Sequence, residues 1–132
     1  MHSQLSLQSG LILLVDDDLS VREFLGQCLQ AAGYKVIPAA SGHEAMAIYE
    51  KQQEQINLVL SDIVMPGLFG DQLVLRLLEI RPDLKYILMS GNNPASLETS
   101  LPLEPGKNFL QKPFSIQELR QCINHHLQLQ AT

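Results

Sequence analysis

The sequence predicts a doubly wound α/β domain, with five parallel strands and helices on both faces of the sheet. Three observations carry this. Apolar runs of strand length recur at Leu11–Val15, 58–61 and Tyr86–Ser90, without the polar alternation of a half-exposed strand. Segments with helical spacing separate them, several opened by Ser-x-x-Glu. The 132 residues, 45% apolar and 17% charged, suit one domain with one core. Strand and helix in alternation, five times, imply right-handed crossovers between parallel strands.

In chain order, residues 1–9 are polar and aperiodic and read as a loose arm, leaving 10–130 as the domain. Leu11–Val15 is the first strand. Ser20-x-x-Glu23 reads as a capping box. After it, Val21, Phe24, Leu25 and Cys28 fall on one helical face, and Gly33 is placed to stop the helix. Residues 34–39 alternate more and suit a strand nearer the edge. Ser41-x-x-Glu44 opens a second helix to about Lys51, with Ala45, Ile48 and Tyr49 inward. Residues 58–61 form the strand that leads into Asp62, and Pro66-Gly67 turns the chain. Asp71 is expected to cap the next helix, whose Leu73, Val74, Leu77 and Leu78 make an apolar stripe up to Pro82. Tyr86–Ser90 is another strand. Pro94, Pro102 and Pro105 break up residues 92–107, leaving room for about two helical turns at most between Ala95 and Leu101. A short strand over 108–111 precedes Lys112-Pro113. Ser115-x-x-Glu118 then opens a last helix, with Ile116, Leu119, Cys122, Ile123 and Leu127 inward.

Composition excludes several classes of function. A net charge of −5 leaves no basic footprint for direct binding to nucleic acid. No apolar run approaches the roughly 20 residues of a membrane-spanning helix. The N-terminus lacks the basic-then-apolar pattern of a signal peptide, so a cytoplasmic location is expected. Cys28 and Cys122 are too few and too far apart for a disulfide scaffold or a zinc site, and they read as reduced core thiols.

The candidate chemistry lies at the strand ends. Asp16-Asp17, Asp62, Ser90 and Lys112 each follow a different predicted strand. Strand ends are neighbours at the carboxyl edge of a parallel sheet, where ligands bind in open α/β folds. Taken singly, each has a plain structural explanation: helix capping, turn chemistry, or a solvated lysine before a proline. Jointly they suit a phosphoryl-accepting site. A carboxylate can accept a phosphoryl group as an acyl phosphate. A hard divalent cation, Mg²⁺, is needed to bring that anion beside a carboxylate. Asp17, Asp62 and the backbone carbonyl of Val64 could bind Mg²⁺, with Asp16 acting through water. Lys112 supplies a point charge for a phosphoryl oxygen, and Ser90 a hydroxyl.

Four motifs, Leu-Leu-Val-Asp-Asp-Asp, Ser-Asp-Ile-Val-Met-Pro-Gly, Leu-Met-Ser-Gly and Phe-Leu-Gln-Lys-Pro-Phe, together resemble a response-regulator receiver domain. The chain is most similar to the receivers of hybrid sensor histidine kinases. The resemblance runs from about Leu11 to Leu129. It implies a flavodoxin-like (βα)5 fold with strand order 2-1-3-4-5. It also implies Asp62 as phosphoacceptor from a sensor histidine kinase or histidine phosphotransfer protein, and Asp16 and Asp17 as the acidic pair for Mg²⁺. Ser90 matches the family's switch hydroxyl, Phe109 its switch aromatic and Lys112 its lysine, with a cis Lys112-Pro113 bond. Such a domain signals in a phosphorelay, catalysing only its own phosphorylation and dephosphorylation; a homodimer is left open.

Two departures from that family are legible. Val64 is apolar where many relatives carry a polar side chain that can touch the attacking water. The proline-broken stretch after Ser90 leaves little for a regular fourth helix. Two other functions compete. Asp16-x-Asp18 after an apolar strand resembles the nucleophile motif of haloacid-dehalogenase-like phosphatases, but only Glu118 follows the lysine where a second acidic pair is needed. A receiver-like docking module that is never phosphorylated is disfavoured by the complete acid and lysine set. A Rossmann module fails because aspartates stand where a glycine-rich loop should be.

Overall fold

The computed structural model describes residues 10–93 and 97–127. The expected arm over 1–9 lies outside the described residues, as do 94–96 and 128–132. The strands are β1 (Leu11–Val15), β2 (Lys35–Ala39), β3 (Leu58–Asp62), β4 (Tyr86–Ser90) and β5 (Phe109–Gln111). All pair in parallel, in the order β2-β1-β3-β4-β5. The helices are α1 (Leu19–Ala31), α2 (Gly42–Gln52), α3 (Gly70–Ile80) and α4 (Ile116–Leu127).

The unbroken apolar runs follow from a sheet covered on both sides. Ile12, Leu14, Leu58, Leu60, Ile87 and Met89 point to one face, where α1 and α4 contribute Leu25, Leu29, Leu119 and Ile123. Leu13, Val15 and Val59 point to the other, against Ala45 and Tyr49 of α2 and Leu73 and Leu77 of α3. Near β5, Phe109, Leu88, Ile63 and Val74 form a third cluster, closed by Leu101.

Helix ends explain most of the boundaries, and two differ from expectation. The N-cap of α1 is Asp18, whose side chain accepts from the Val21 N–H at 3.2 Å, so the Ser20-x-x-Glu23 box is not used. An aspartate already in extended backbone two residues earlier satisfies the orphan donor first. In α3, Phe69 takes the cap position and its N–H donates to Gln72 Oε1 at 3.2 Å. Asp71 falls inside the first turn instead of capping it. The other two boxes form as expected: Glu44 N–H donates to Ser41 Oγ and Glu118 N–H to Ser115 Oγ, both at 3.0 Å. α1 stops at Gly33, whose φ of 101° is open to glycine at little cost. There the Tyr34 and Gly33 N–H groups close back onto the Leu29 and Gln30 carbonyls, a Schellman motif. Tyr34 therefore belongs to the helix end, and β2 begins at Lys35.

Three further details concern side chains and the last crossover. Phe24 is 57% exposed; it lines a cleft of about 450 Å³ with Val21, Leu25, Pro113 and Phe114 instead of entering the core. Cys122 is buried and donates to the Lys107 carbonyl at 3.0 Å, and burial pushes its thiol up to about 11, as suits a reduced core cysteine. Among the described residues no helix links β4 to β5, so four helices stand where alternation predicted five. Prolines at 102 and 105 deny that stretch the donors a helix needs. Asn108 replaces them as organiser. Its amide donates to the Pro102 carbonyl at 2.9 Å and accepts from the Glu104 N–H at 2.7 Å.

Gly70 fixes how closely α3 approaches the end of β3. A Cβ there would sit 2.1 Å from the Asp62 carbonyl oxygen, and both groups are backbone. Gly70→Ala should therefore destabilise the fold by about 3 kcal/mol or more, whereas Gly91→Ala, with nothing within 4 Å among the described residues, should stay within about 0.5 kcal/mol of wild type. Urea denaturation of the two variants checks this, and equal midpoints would contradict the packing.

Candidate functional site at the carboxyl edge of the sheet

Asp16 stands one residue beyond β1. Its N–H donates to the Ala39 carbonyl at 3.1 Å, and its Oδ1 accepts from the Asp18 N–H at 2.9 Å. The aspartate triplet thus divides its labour. Asp18 caps α1, Asp16 is buried, and Asp17 is exposed. Asp62 closes β3 and is 8% exposed. Its carbonyl accepts from Ser61 Oγ at 2.8 Å, and the next residue, Ile63, donates to Met89 at 2.9 Å and accepts from Gly70 at 2.8 Å. These bonds tie the backbone on either side of Asp62 and place its carboxylate at the sheet edge.

Lys112 follows β5. Its Nζ lies 3.0 Å from Asp62 Oδ1 and 3.7 Å from Asp16 Oδ2. Its N–H donates to the Ser90 carbonyl at 2.7 Å, and its bond to Pro113 is cis. Carboxylate oxygens of Asp16, Asp17 and Asp62 lie within 4.8 Å of one another. The fold therefore gathers four of the expected residues, Asp16, Asp17, Asp62 and Lys112. Ser90 ends the strand beside Asp62, with its hydroxyl accepting from the Asn92 N–H at 3.0 Å. Val64 lies in the turn after Asp62, its side chain 57% exposed. Phe109 is not at the edge at all. It is buried one strand away, packed with Ile63, Val74, Leu88 and Leu101.

Crowding dominates the electrostatics. Burial pushes the Asp62 carboxyl above the ordinary carboxylate range; Lys112 opposes this through its hydrogen bond and charge, and Asp16 and Asp17 add to it. Asp16 is raised as well, mainly by burial, against the Asp18 N–H and the Lys112 charge. One ammonium does not balance three carboxylates, and Asp16 Oδ2 is buried with no hydrogen-bond partner among the described residues. A small, hard cation suits this set. Opposite ligands of an octahedral Mg²⁺ are about 4.2 Å apart, so oxygens no further apart than 4.8 Å need only small side-chain movements.

Residues 12–124 match the response regulator receiver domain family. The chain belongs to that family. The receiver is 38% identical over 122 residues to the sensor kinase CckA of Brucella abortus, covering 92% of this chain but 13% of that protein. It is 38% identical over 109 residues to the response regulator receiver protein CpdR of the same organism, covering 82% of this chain and 88% of that one. The solved receiver domain of the hybrid histidine kinase CckA superposes with a TM-score of 0.74 at 31% identity, over 89% of this chain and 99% of that one. The response regulator TrrA of Thermotoga maritima, solved with Mg²⁺ and BeF, superposes with a TM-score of 0.77 at 28% identity, over 89% and 99%. Receiver domains are signalling domains, and this one has the acidic pocket at which they bind Mg²⁺. No helix among the described residues is long and apolar enough to cross a membrane.

Three residues near the site were not singled out from the sequence. Ser61 and Gly70 shape the turn around Asp62, and Arg22 donates from Nη1 to the Asp16 carbonyl at 2.7 Å. None of the three carries a spacing signal: Arg22 stands four residues after Asp18, while the sequence pattern placed the cap at Ser20.

The raised carboxyl groups imply a definite pH dependence. Native Asp16 and Asp62 hold protons more tightly than the same residues do in the unfolded chain. Rising pH through their range therefore favours unfolding, and their cost is larger at pH 7 than in acid. Asp62→Asn should melt at a higher temperature than wild type at pH 7 without Mg²⁺. The gap should narrow as pH falls toward the ordinary carboxylate range. Calorimetry at several pH values checks this, and a gap that widens in acid would reverse the sign.

Proposed function

We propose that this receiver accepts a phosphoryl group on Asp62 from a phosphohistidine of a sensor histidine kinase or histidine phosphotransfer protein. The observation that carries this is the 3.0 Å contact of Lys112 Nζ with Asp62 Oδ1, inside a cluster of three carboxylates. Asp16, Asp17, Asp62 and the Val64 carbonyl would hold Mg²⁺. The bound ion would offset the charge of the incoming phosphoryl oxygens. An Asp62 carboxylate oxygen attacks phosphorus, the P–N bond breaks, and its electron pair leaves with the imidazole. Lys112 exchanges part of its contact with Asp62 for a phosphoryl oxygen, so its charge follows the charge being transferred. Hydrolysis of the acyl phosphate would return Asp62 to its starting state, and Val64 offers the attacking water no polar side chain. These are the only reactions the domain would catalyse.

The switch would run through Ser90 and Phe109. Phosphorylation brings an acceptor oxygen to the sheet edge, and the Ser90 hydroxyl would turn from the Asn92 N–H to donate to it. Ser90 is joined through its carbonyl to Lys112. Phe109 pairs with Leu88 two residues earlier on β4 and packs against Leu101 of the irregular crossover. Movement of Ser90 therefore reaches the surface of that crossover through neighbouring backbone. A few kcal/mol of differential interaction would suffice to shift such an equilibrium.

Neither competing reading gains a supporting observation. Glu118, the acid a dehalogenase-type phosphatase would need after the lysine, accepts from the Ser115 N–H at 2.8 Å as part of the α4 cap.

Incubation with acetyl phosphate and Mg²⁺ should add one phosphate to the intact mass of wild type, and none to Asp62→Asn or to EDTA-treated protein. Phosphorylated Asp62→Asn would sink the assignment, and unmodified wild type would favour a docking module that is never phosphorylated. Ser90→Ala should still be phosphorylated yet lose the NMR shifts around Phe109 that beryllofluoride induces in wild type. Identical shifts in both proteins would break the proposed coupling.

A further inference from the structure

Asp17 presents an anomaly. It belongs to the carboxylate cluster, yet it is exposed, unlike Asp16 and Asp62. Asp16 is tied by its N–H and Oδ1, and Asp62 by Lys112. The direction of the Asp17 side chain is set largely by its backbone. The peptide joining residues 16 and 17 is planar, so holding the direction of its C=O restricts the dihedral angles on either side. Those angles aim the Asp17 Cα–Cβ bond. That carbonyl lies past the end of β1, outside the strand ladder. Its partner is Arg22, one turn into α1, whose Nη1 donates at 2.7 Å in a partly buried, charge-assisted bond. α1 is itself fixed to the same loop by the Asp18 cap and by the Arg22 N–H, which donates to the Asp18 carbonyl at 2.9 Å. Arg22 is thus anchored at its backbone to one end of the aspartate triplet and clamps the other end with its side chain.

We propose that Arg22 is a positioning residue for the cation site. By holding the 16–17 peptide it keeps the Asp17 carboxylate turned toward Asp16 and Asp62. The proposal rests on the reading of that cluster as the Mg²⁺ site. Arg22 touches neither the ion nor the phosphoryl group, so its removal should change the Mg²⁺ concentration needed and leave the chemistry at saturation alone.

The test is an NMR titration with Mg²⁺, following the amides of Asp17 and Asp62, on wild type, Arg22→Met, Arg22→Lys and Asp17→Ala. Losing an outer partner of a ligand typically costs 10- to 100-fold in metal affinity, so the Arg22→Met midpoint should rise by about tenfold or more. Arg22→Lys, which retains a charged donor, should recover most of the loss. With acetyl phosphate, the Mg²⁺ concentration for half-maximal phosphorylation should rise in parallel in Arg22→Met, while the rate at saturating Mg²⁺ stays near wild type. An unchanged midpoint in Arg22→Met, or the same rise in both Arg22 variants, overturns the proposal. So does weaker binding that merely accompanies collapse of the thermal transition, as loss of a purely structural arginine would produce. If wild type shows no more response than Asp17→Ala, the reading of the metal site fails instead, and the two failures are told apart.

Discussion

The contact between Lys112 and Asp62 is the interaction on which the rest of the site depends. Without it the sheet edge would hold three neighbouring carboxylates, two of them buried, with no facing cation among the described residues. Burial of an uncompensated charge is among the costliest arrangements in a fold. With it the cluster is only partly balanced, and both Asp16 and Asp62 remain above the ordinary carboxylate range. That residual imbalance is the physical basis for attracting a cation. Much of the surrounding structure serves to hold this unfavourable arrangement in place. β1 and β3 bring the acids side by side, β5 delivers the lysine, and Gly70 lets α3 close over the Asp62 carbonyl.

Lys112 also joins the site to the far side of the sheet. Its side chain touches the acids while its backbone is bonded to Ser90, the last residue of β4. β4 and β5 in turn carry Leu88 and Phe109, which pack with Leu101 of the crossover between them. A change of charge at the sheet edge therefore has a short route, through backbone pairs, to a surface segment. In this receiver that segment is irregular over residues 97–107, tied down by Asn108 and by apolar contacts from Leu97, Leu101 and Leu103. Pro102 and Pro105 withhold backbone donors from that segment, and the Asn108 side chain takes up part of its organisation.

The helix caps show how near-equal local options are decided. Ser20 and Asp18 could each have opened α1, and Asp71 could have opened α3. In both cases the true start lies earlier, at Asp18 and at Phe69. In each case a side-chain capping bond decides between the options. At α1 the Asp18 side chain takes the Val21 N–H before Ser20 can act, and at α3 the Gln72 side chain accepts from the Phe69 N–H. Phe24 illustrates a related limit. Its helical spacing was right for an inward face, but the sheet beneath α1 is already filled by Leu25 and Leu29, and the ring lies in a surface cleft.

The sequence alone determined the fold class and four of the residues that meet, while the strand order came with the family resemblance. Unalternating apolar runs can be buried only between two helical layers, and strand ends in a parallel sheet share one edge. It could therefore place Asp16, Asp17, Asp62 and Lys112 together without any distance. It could not show that Ser61 and Gly70 pack against the Asp62 backbone, that Arg22 clamps the 16–17 peptide, or that Phe109 lies below the site. These are long-range or backbone relations. A buried serine hydroxyl, a glycine's missing Cβ and the direction of one carbonyl leave no periodic trace in the chain. Only the tertiary structure decided them, because each depends on how closely two elements distant in sequence approach.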